Sequence, residues 1–174
     1  ANDLQLVPYE DWTFLPETSV YTLQEQFRVA SLDGFGLRSL TAATGAAGAD
    51  IRANLKPEDR EVGFTLDPMH RAILPTGIRV EIPAGYEMQI RPRSGLALNH
   101  GITLPNTPGT IDSDYRGPLG VALVNLSDQP YIIRHGDRIA QIIIAPVVQA
   151  GFQVVDMLTE TARGQGGFGS TGKA

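Results

Sequence analysis

Three stretches of this chain carry side chains suited to phosphate chemistry. Arg91-Pro92-Arg93-Ser94-Gly95 follows an alternating apolar segment and opens a single helical turn expected over residues 95–99. Serine is a natural helix N-cap, and the free N–H groups at a helix N-terminus attract anions. Arg93 beside it adds a charge-assisted contact; the competing reading is a capped turn with solvated arginines. The segment Gly109-Thr110-Ile111-Asp112-Ser113-Asp114-Tyr115-Arg116-Gly117 is too polar for a buried strand. It suggests a hairpin carrying Asp112 into a pocket as a general base, with Tyr115 as a flat wall against a ring. The competing reading is a turn whose aspartates cap their own backbone. The glycine-rich tail from Arg163 to Lys173 includes Ser170 and Thr171, and it either wraps a phosphate chain or is disordered.

Other chemistries are excluded or disfavoured. Residues 164–169 fit G-x-G-x-x-G and residues 167–173 nearly fit a phosphate loop, but Ala174 replaces the hydroxyl residue that would hold magnesium. Both motifs also need a strand before and a helix after, and neither is expected here. With no cysteine, disulfides, thiol catalysis and thiolate zinc sites are ruled out. His70, His100 and His135 stand in unrelated contexts without metal-ligand spacing, and no nucleophile elbow surrounds any serine. An activated water remains, assisted by a metal held through phosphates and carboxylates.

The elements that must position these groups are strands. Ile78 to Ile82 and Tyr86 to Ile90 alternate apolar and polar residues across a Pro83-Ala84-Gly85 turn. Further strands are expected over residues 119–126, 131–134, 138–145 and 149–155. Helical periodicity is nearly absent, apart from the turn at 95–99 and a possible short helix at 22–30. The expectation is an all-β barrel or double-sheet sandwich.

Composition agrees. The 19 Gly and 12 Pro among 174 residues favour short elements and tight turns, and 42% hydrophobic residues are enough for one core. A net charge of −5 argues against a nucleic-acid partner. Lysine occurs only at Lys56 and Lys173, so the cations are almost all arginine, the better fork for phosphate. No secretory signal is apparent, and the longest apolar run, residues 142–145, is far too short for a membrane helix. A cytoplasmic setting, with no membrane partner, is expected.

Five segments, taken in order, resemble the motifs of the homotrimeric deoxyuridine triphosphatase family. The first is Ala47-Gly48-Ala49-Asp50-Ile51 and the second Arg91 to Gly95. The third runs from Asn106 to Gly117, the fourth is Gly136-Asp137-Arg138-Ile139-Ala140-Gln141, and the fifth spans residues 163–172. The resemblance implies a jelly-roll-like all-β barrel with one short helix and a flexible glycine-rich tail. It divides the chain into an N-terminal extension (1–38), the barrel (39–162) and a C-terminal arm closing an active site (163–174).

It also implies hydrolysis of dUTP to dUMP and pyrophosphate with Mg2+, which limits uracil in DNA and supplies dUMP for dTMP synthesis. By resemblance Asp112 deprotonates the attacking water. Asn106, Gly109, Ile111 and Tyr115 receive uracil and sugar, and Phe168 stacks on the base as a lid. Arg93, Ser94, Gly95, Gln141, Arg163, Ser170 and Thr171 hold phosphates, and Asp50 acts on the metal through water. Three chains would build each site. Residues 1–38 have no recognised counterpart, and the connection at 57–70 looks longer than usual for the family. Two alternatives stand beside this reading: a dCTP deaminase-like enzyme of the same fold, and a non-catalytic regulatory protein on the same scaffold.

Overall fold

The computed structural model describes residues 27–32, 40–42 and 45–167. Short strands dominate, as the Gly and Pro content requires. The first are β1 (Arg28–Ser31), β2 (Leu40–Thr41), β3 (Ala49–Arg52), β4 (Phe64–Leu66) and β5 (Arg71–Pro75). β6 (Ile78–Glu81) and β7 (Tyr86–Arg91) lead into the helix α1 (Ser94–His100). After it come β8 (Ile102–Thr103), β9 (Gly109–Ile111), β10 (Gly120–Asn125), β11 (Tyr131–Ile133) and β12 (Arg138–Pro146).

All pairings are antiparallel. The largest sheet has the order β2-β3-β12-β7-β9; a second is β5-β10-β8, and two ribbons are β1-β6 and β11-β4. Alternation decides which face is buried. In β6, Ile78 and Val80 are buried while Arg79 and Glu81 face out; in β10, Val121, Leu123 and Asn125 point inward. The inward rows meet in one core that includes Ile51, Leu74, Ile102, Leu119, Ile133 and Ile139. Asn125, wholly buried, is fully paired: its amide N–H groups donate to Leu66 O and Gln129 O, and its oxygen accepts from Ser127 N–H and hydroxyl.

Three expectations are corrected. Residues 28–30, assigned to a possible helix and to the N-terminal extension, lie in β1, where Val29 and the neighbouring Phe27 pack on the core; residues 22–26 lie outside the described part. Extended backbone lets β1 pair with β6 in register Val29↔Val80. Residues 149–155 form no strand and are exposed, with Phe152 at 96% and Val154 at 99%. Alternating apolar residues favour a strand only where another strand meets their open hydrogen bonds, and none of the described residues does so there. Ser94 is not the N-cap of α1 but its first residue. Arg93 takes the cap position with extended backbone and no side-chain cap bond, and its carbonyl accepts from Ala97 N–H at 3.0 Å.

Met69 sits at φ 61°, a left-handed conformation that strains any residue with a Cβ, and its side chain is exposed. Met69→Gly therefore stabilises the fold by about 1 kcal/mol, raising Tm by about 3 °C in scanning calorimetry. An unchanged or lower Tm would show that glycine's added freedom in the unfolded chain, or lost side-chain contacts, offsets the relief of strain.

Candidate active site

The first functional cluster grows from β3. Ala49 and Ile51 point into the core, so Asp50 must face the other way, where its side chain is only 14% exposed. The β12–β3 register sets Gln141 opposite Asp50, and the β12–β7 register sets Gln141 opposite Arg91. Asp50 Oδ1 accepts from Arg93 Nε at 3.0 Å and Gln141 Nε2 at 3.4 Å. Its Oδ2 accepts from Arg138 Nη1 at 3.1 Å, and Arg138 O accepts from Arg93 Nη1 at 3.1 Å. One carboxylate thus orients two guanidinium groups and leaves the cluster with a net positive charge, the balance an anionic ligand needs.

Arg138 was not among the expected site residues, and the reason is local. A register shift lies between Arg138 and Ala140, so Ile139 and Ala140 are both buried and Arg138 and Gln141 emerge on the same side. Strict alternation would have set them on opposite faces.

Close approach of β3 and β12 depends on Gly48. A Cβ there would overlap Ile142 O and lie 2.8 Å from Ile143 Cγ1. Gly48→Ala is expected to push the strands apart beside Asp50, lowering kcat/KM more than tenfold and stability by about 2 kcal/mol. Steady-state kinetics and urea unfolding would check both; full activity would mean the strands yield without moving the carboxylate.

Ser94 and Gly95 begin α1 with exposed backbone beside Arg93, and the space outside Gly95 is open. Below them a cleft of about 310 Å3 is lined by Arg52, Arg93, Leu96, Tyr131, Asp137 and Arg138, among others. Burial pushes the Tyr131 hydroxyl pKa up, Asp137 adds to the rise, and Arg93 partly opposes it. Its ring packs on His100 with centroids 4.9 Å apart.

The second cluster surrounds β9, at the edge of the large sheet; among the described residues β9 pairs only with β7, so the expected hairpin is instead a strand followed by a turn at 113–114. Gly109 is buried opposite Ile90, and a Cβ on it would lie 3.3 Å from Asn106 Nδ2, so the Asn106 side chain lies across it. Thr107 Oγ1 donates to Leu104 O at 2.7 Å, and the Thr107–Pro108 bond is cis. Ile111 is half-buried, and beyond it Asp112 is exposed, its carbonyl accepting from Tyr115 N–H at 3.2 Å. Tyr115 folds over Gly117, where a Cβ would overlap its hydroxyl, and that hydroxyl donates to Pro118 O at 2.9 Å.

Asp50, Arg93, Ser94, Gly95 and Gln141 therefore come together, as do Asn106, Gly109, Ile111, Asp112 and Tyr115. The two groups do not meet within one chain. Three strand spacings separate β3 from β9, and Ile111 lies opposite Met88, three residues along β7 from Arg91. At ~4.8 Å between strands and ~3.3 Å per residue, Asp112 stands roughly 19 Å from Asp50. Arg163 is exposed in a turn, its Nε donating to Gly166 O at 2.8 Å. Phe168, Ser170 and Thr171 lie outside the described residues.

An antiparallel β-barrel that sets a carboxylate-braced arginine pair against a helix N-terminus has the equipment of a protein that grips phosphate esters. The family model for dUTPase matches residues 40–172. A deoxyuridine 5'-triphosphate nucleotidohydrolase of Dinoroseobacter shibae is 69% identical over 132 residues, covering 76% of this chain and 85% of that protein. One from Chlamydia pneumoniae is 56% identical, covering 81% of this chain and 94% of that protein. Among solved structures, Staphylococcus bacteriophage 80alpha dUTPase with dUpNHpp superposes with TM-score 0.72 at 25% identity, over 85% of this chain and 99% of that one. The chain belongs to the dUTPase family. Its barrel is the family's jelly-roll-like β fold. Among the described residues no helix is long and apolar enough to cross a membrane.

Proposed function

We propose that this dUTPase, which hydrolyses dUTP to dUMP and pyrophosphate, does so at sites shared between three copies of the chain, in the cytoplasm. The separation of the two clusters carries this reading. Each is internally ordered, yet at roughly 19 Å they cannot hold the base and the phosphates of one nucleotide within one chain. A homotrimer would bring the β9 segment of one copy against the arginine cluster of another. The exposed tail supports it: Val148, Phe152, Val154, Met157 and Leu158 are apolar and uncovered, as a segment that lies on a neighbouring copy would be.

In this reading Asp112 takes the proton of the water that attacks the α-phosphorus, since water is a poor nucleophile until a base accepts its proton. Arg93, Arg138, the Ser94 and Gly95 backbone and Gln141 hold the phosphates. The β9 segment presents backbone groups and the Asn106 side chain to the uracil edge. Cytosine would leave buried groups unpaired at about 1–3 kcal/mol each. Tyr115, folded over Gly117, excludes a 2′-hydroxyl, and Arg163, Phe168, Ser170 and Thr171 close the site from a further copy.

The donor set suits Mg2+ only as a companion of the substrate. Among the described residues no group of three or more His, Asp or Glu is placed to hold a metal. The Asp50 carboxylate is engaged by Arg93, Arg138 and Gln141, so it would reach the ion through water. Bound there, Mg2+ neutralises charge on the leaving pyrophosphate.

The test is pyrophosphate release with Mg2+ from dUTP, dCTP, dTTP and UTP in parallel, with the mass measured by light scattering. Release from dUTP alone by a particle three times 18.7 kDa is expected. Equal rates on all four would refute the β9 segment as the selector, and full activity in a monomer would refute the shared site.

A further inference from the structure

The connection between β3 and β4 takes no part in the site described above, yet it is bonded to it. Beyond β3, residues 53–55 run beside the turn at 134–137. Ala53 N–H donates to Asp137 O at 2.9 Å and Gly136 N–H to Ala53 O at 2.8 Å. Leu55 N–H donates to His135 Nδ1 at 3.2 Å, and Arg52 Nη1 to Gly136 O at 2.8 Å. That turn runs directly into Arg138, which holds Asp50 and Arg93, and then to Gln141.

From the other side, the long connection folds back. A 3-10 turn at Pro57–Asp59 ends at Arg60, whose guanidinium reaches the same strap with two neighbouring nitrogens. Arg60 Nε donates to Leu55 O at 3.0 Å and Nη2 to Asn54 Oδ1 at 3.2 Å. Asn54 is itself 7% exposed, and its N–H donates to Pro75 O at 2.7 Å. A planar fork gripping two consecutive residues fixes their orientation, which a single donor would not.

We propose that Arg60 is a positioning residue for the phosphate-binding row. It holds residues 54–55 against the turn at 134–137 and so aims Arg138 and Gln141 at the outer phosphates of the nucleotide. The connection between β3 and β4 is then a brace, and the 3-10 turn at Pro57–Asp59 is what turns Arg60 back on the strap. The inference rests on the reading of Arg93, Arg138 and Gln141 as phosphate ligands, and Gln141→Ala tests that reading separately.

The experiment uses full-length Arg60→Met, which keeps the stem and removes the fork, with calorimetric binding of dUpNHpp and of dUMP. The affinity for dUpNHpp is expected to fall about fivefold, with KM for dUTP rising in parallel and kcat little changed. dUMP lacks the outer phosphates, and its affinity is expected to stay within about twofold. Arg60→Lys, with charge but no fork, should recover part of the loss. Wild-type affinity for dUpNHpp in Arg60→Met, while Gln141→Ala binds it weakly, overturns the proposal. Equal losses for dUpNHpp and dUMP overturn it too, since they report a general structural role. If Gln141→Ala binds dUpNHpp normally, the phosphate reading itself falls, and this proposal with it. Should Arg60→Met not fold, Arg60→Lys decides: intermediate affinity for dUpNHpp supports the brace and full affinity refutes it.

Discussion

Asp112→Asn keeps nucleotide binding and loses turnover by about 10^3-fold, within the range that a positioned general base contributes. Asparagine matches aspartate in shape, so the turn in which the residue 112 carbonyl accepts from Tyr115 N–H should survive. What disappears is the ability to accept a proton from water. The exposed position of Asp112 in the described chain allows it to face a neighbouring copy. Calorimetry with dUpNHpp should give an affinity close to that of the parent, while pyrophosphate release from dUTP collapses. Undiminished release would remove Asp112 from the chemistry and leave the β9 segment as a recognition element only.

Deleting residues 163–174 is expected to abolish turnover without dissociating the proposed trimer. The deletion removes Arg163, Phe168, Ser170 and Thr171 together. An aromatic stack contributes about 1 kcal/mol, and each hydrogen bond to a charged phosphate about 1.5–3 kcal/mol. Their combined loss amounts to several kcal/mol, or more than about 10^3 in rate at 1.4 kcal/mol per factor of ten. An uncovered site would also admit water that weakens every remaining electrostatic contact. The apolar residues offered for assembly, Val148 to Leu158, lie upstream of the cut. Light scattering should therefore still report three chains. A truncated protein with normal rates would mean that the glycine strip is an inert end.

Much of the barrel was legible because β6 and β7 alternate apolar and polar residues and β12 is a long apolar run. Ile78 to Ile82, Tyr86 to Ile90 and residues 138–145 correspond to β6, β7 and β12, and residues 95–99 fall inside α1. β2 to β5 were not anticipated, since strands of two to five residues such as Ala49–Arg52 hold too few alternations to declare a period. Residues 149–155 misled for the opposite reason: their pattern is strand-like, but among the described residues no strand pairs with them. Within the site, residue types were readable and distances were not. Nothing in the order of residues reveals that Asp50 touches Arg93, or that Asp112 stands two neighbouring strands beyond Gln141, because both follow from register. Arg138 was hidden by the bulge that turns it to the side of Gln141.

The three groups gathered on Asp50 come from positions 43, 88 and 91 residues further along the chain. Such contacts close large loops, whose entropy cost must be met first, so the cluster is expected to form late in folding. A chain still being synthesised therefore cannot complete this cluster until Gln141, 91 residues past Asp50, has emerged and β12 has docked. Completion of the Asp50 cluster and docking of β12 should then appear together in a refolding time course.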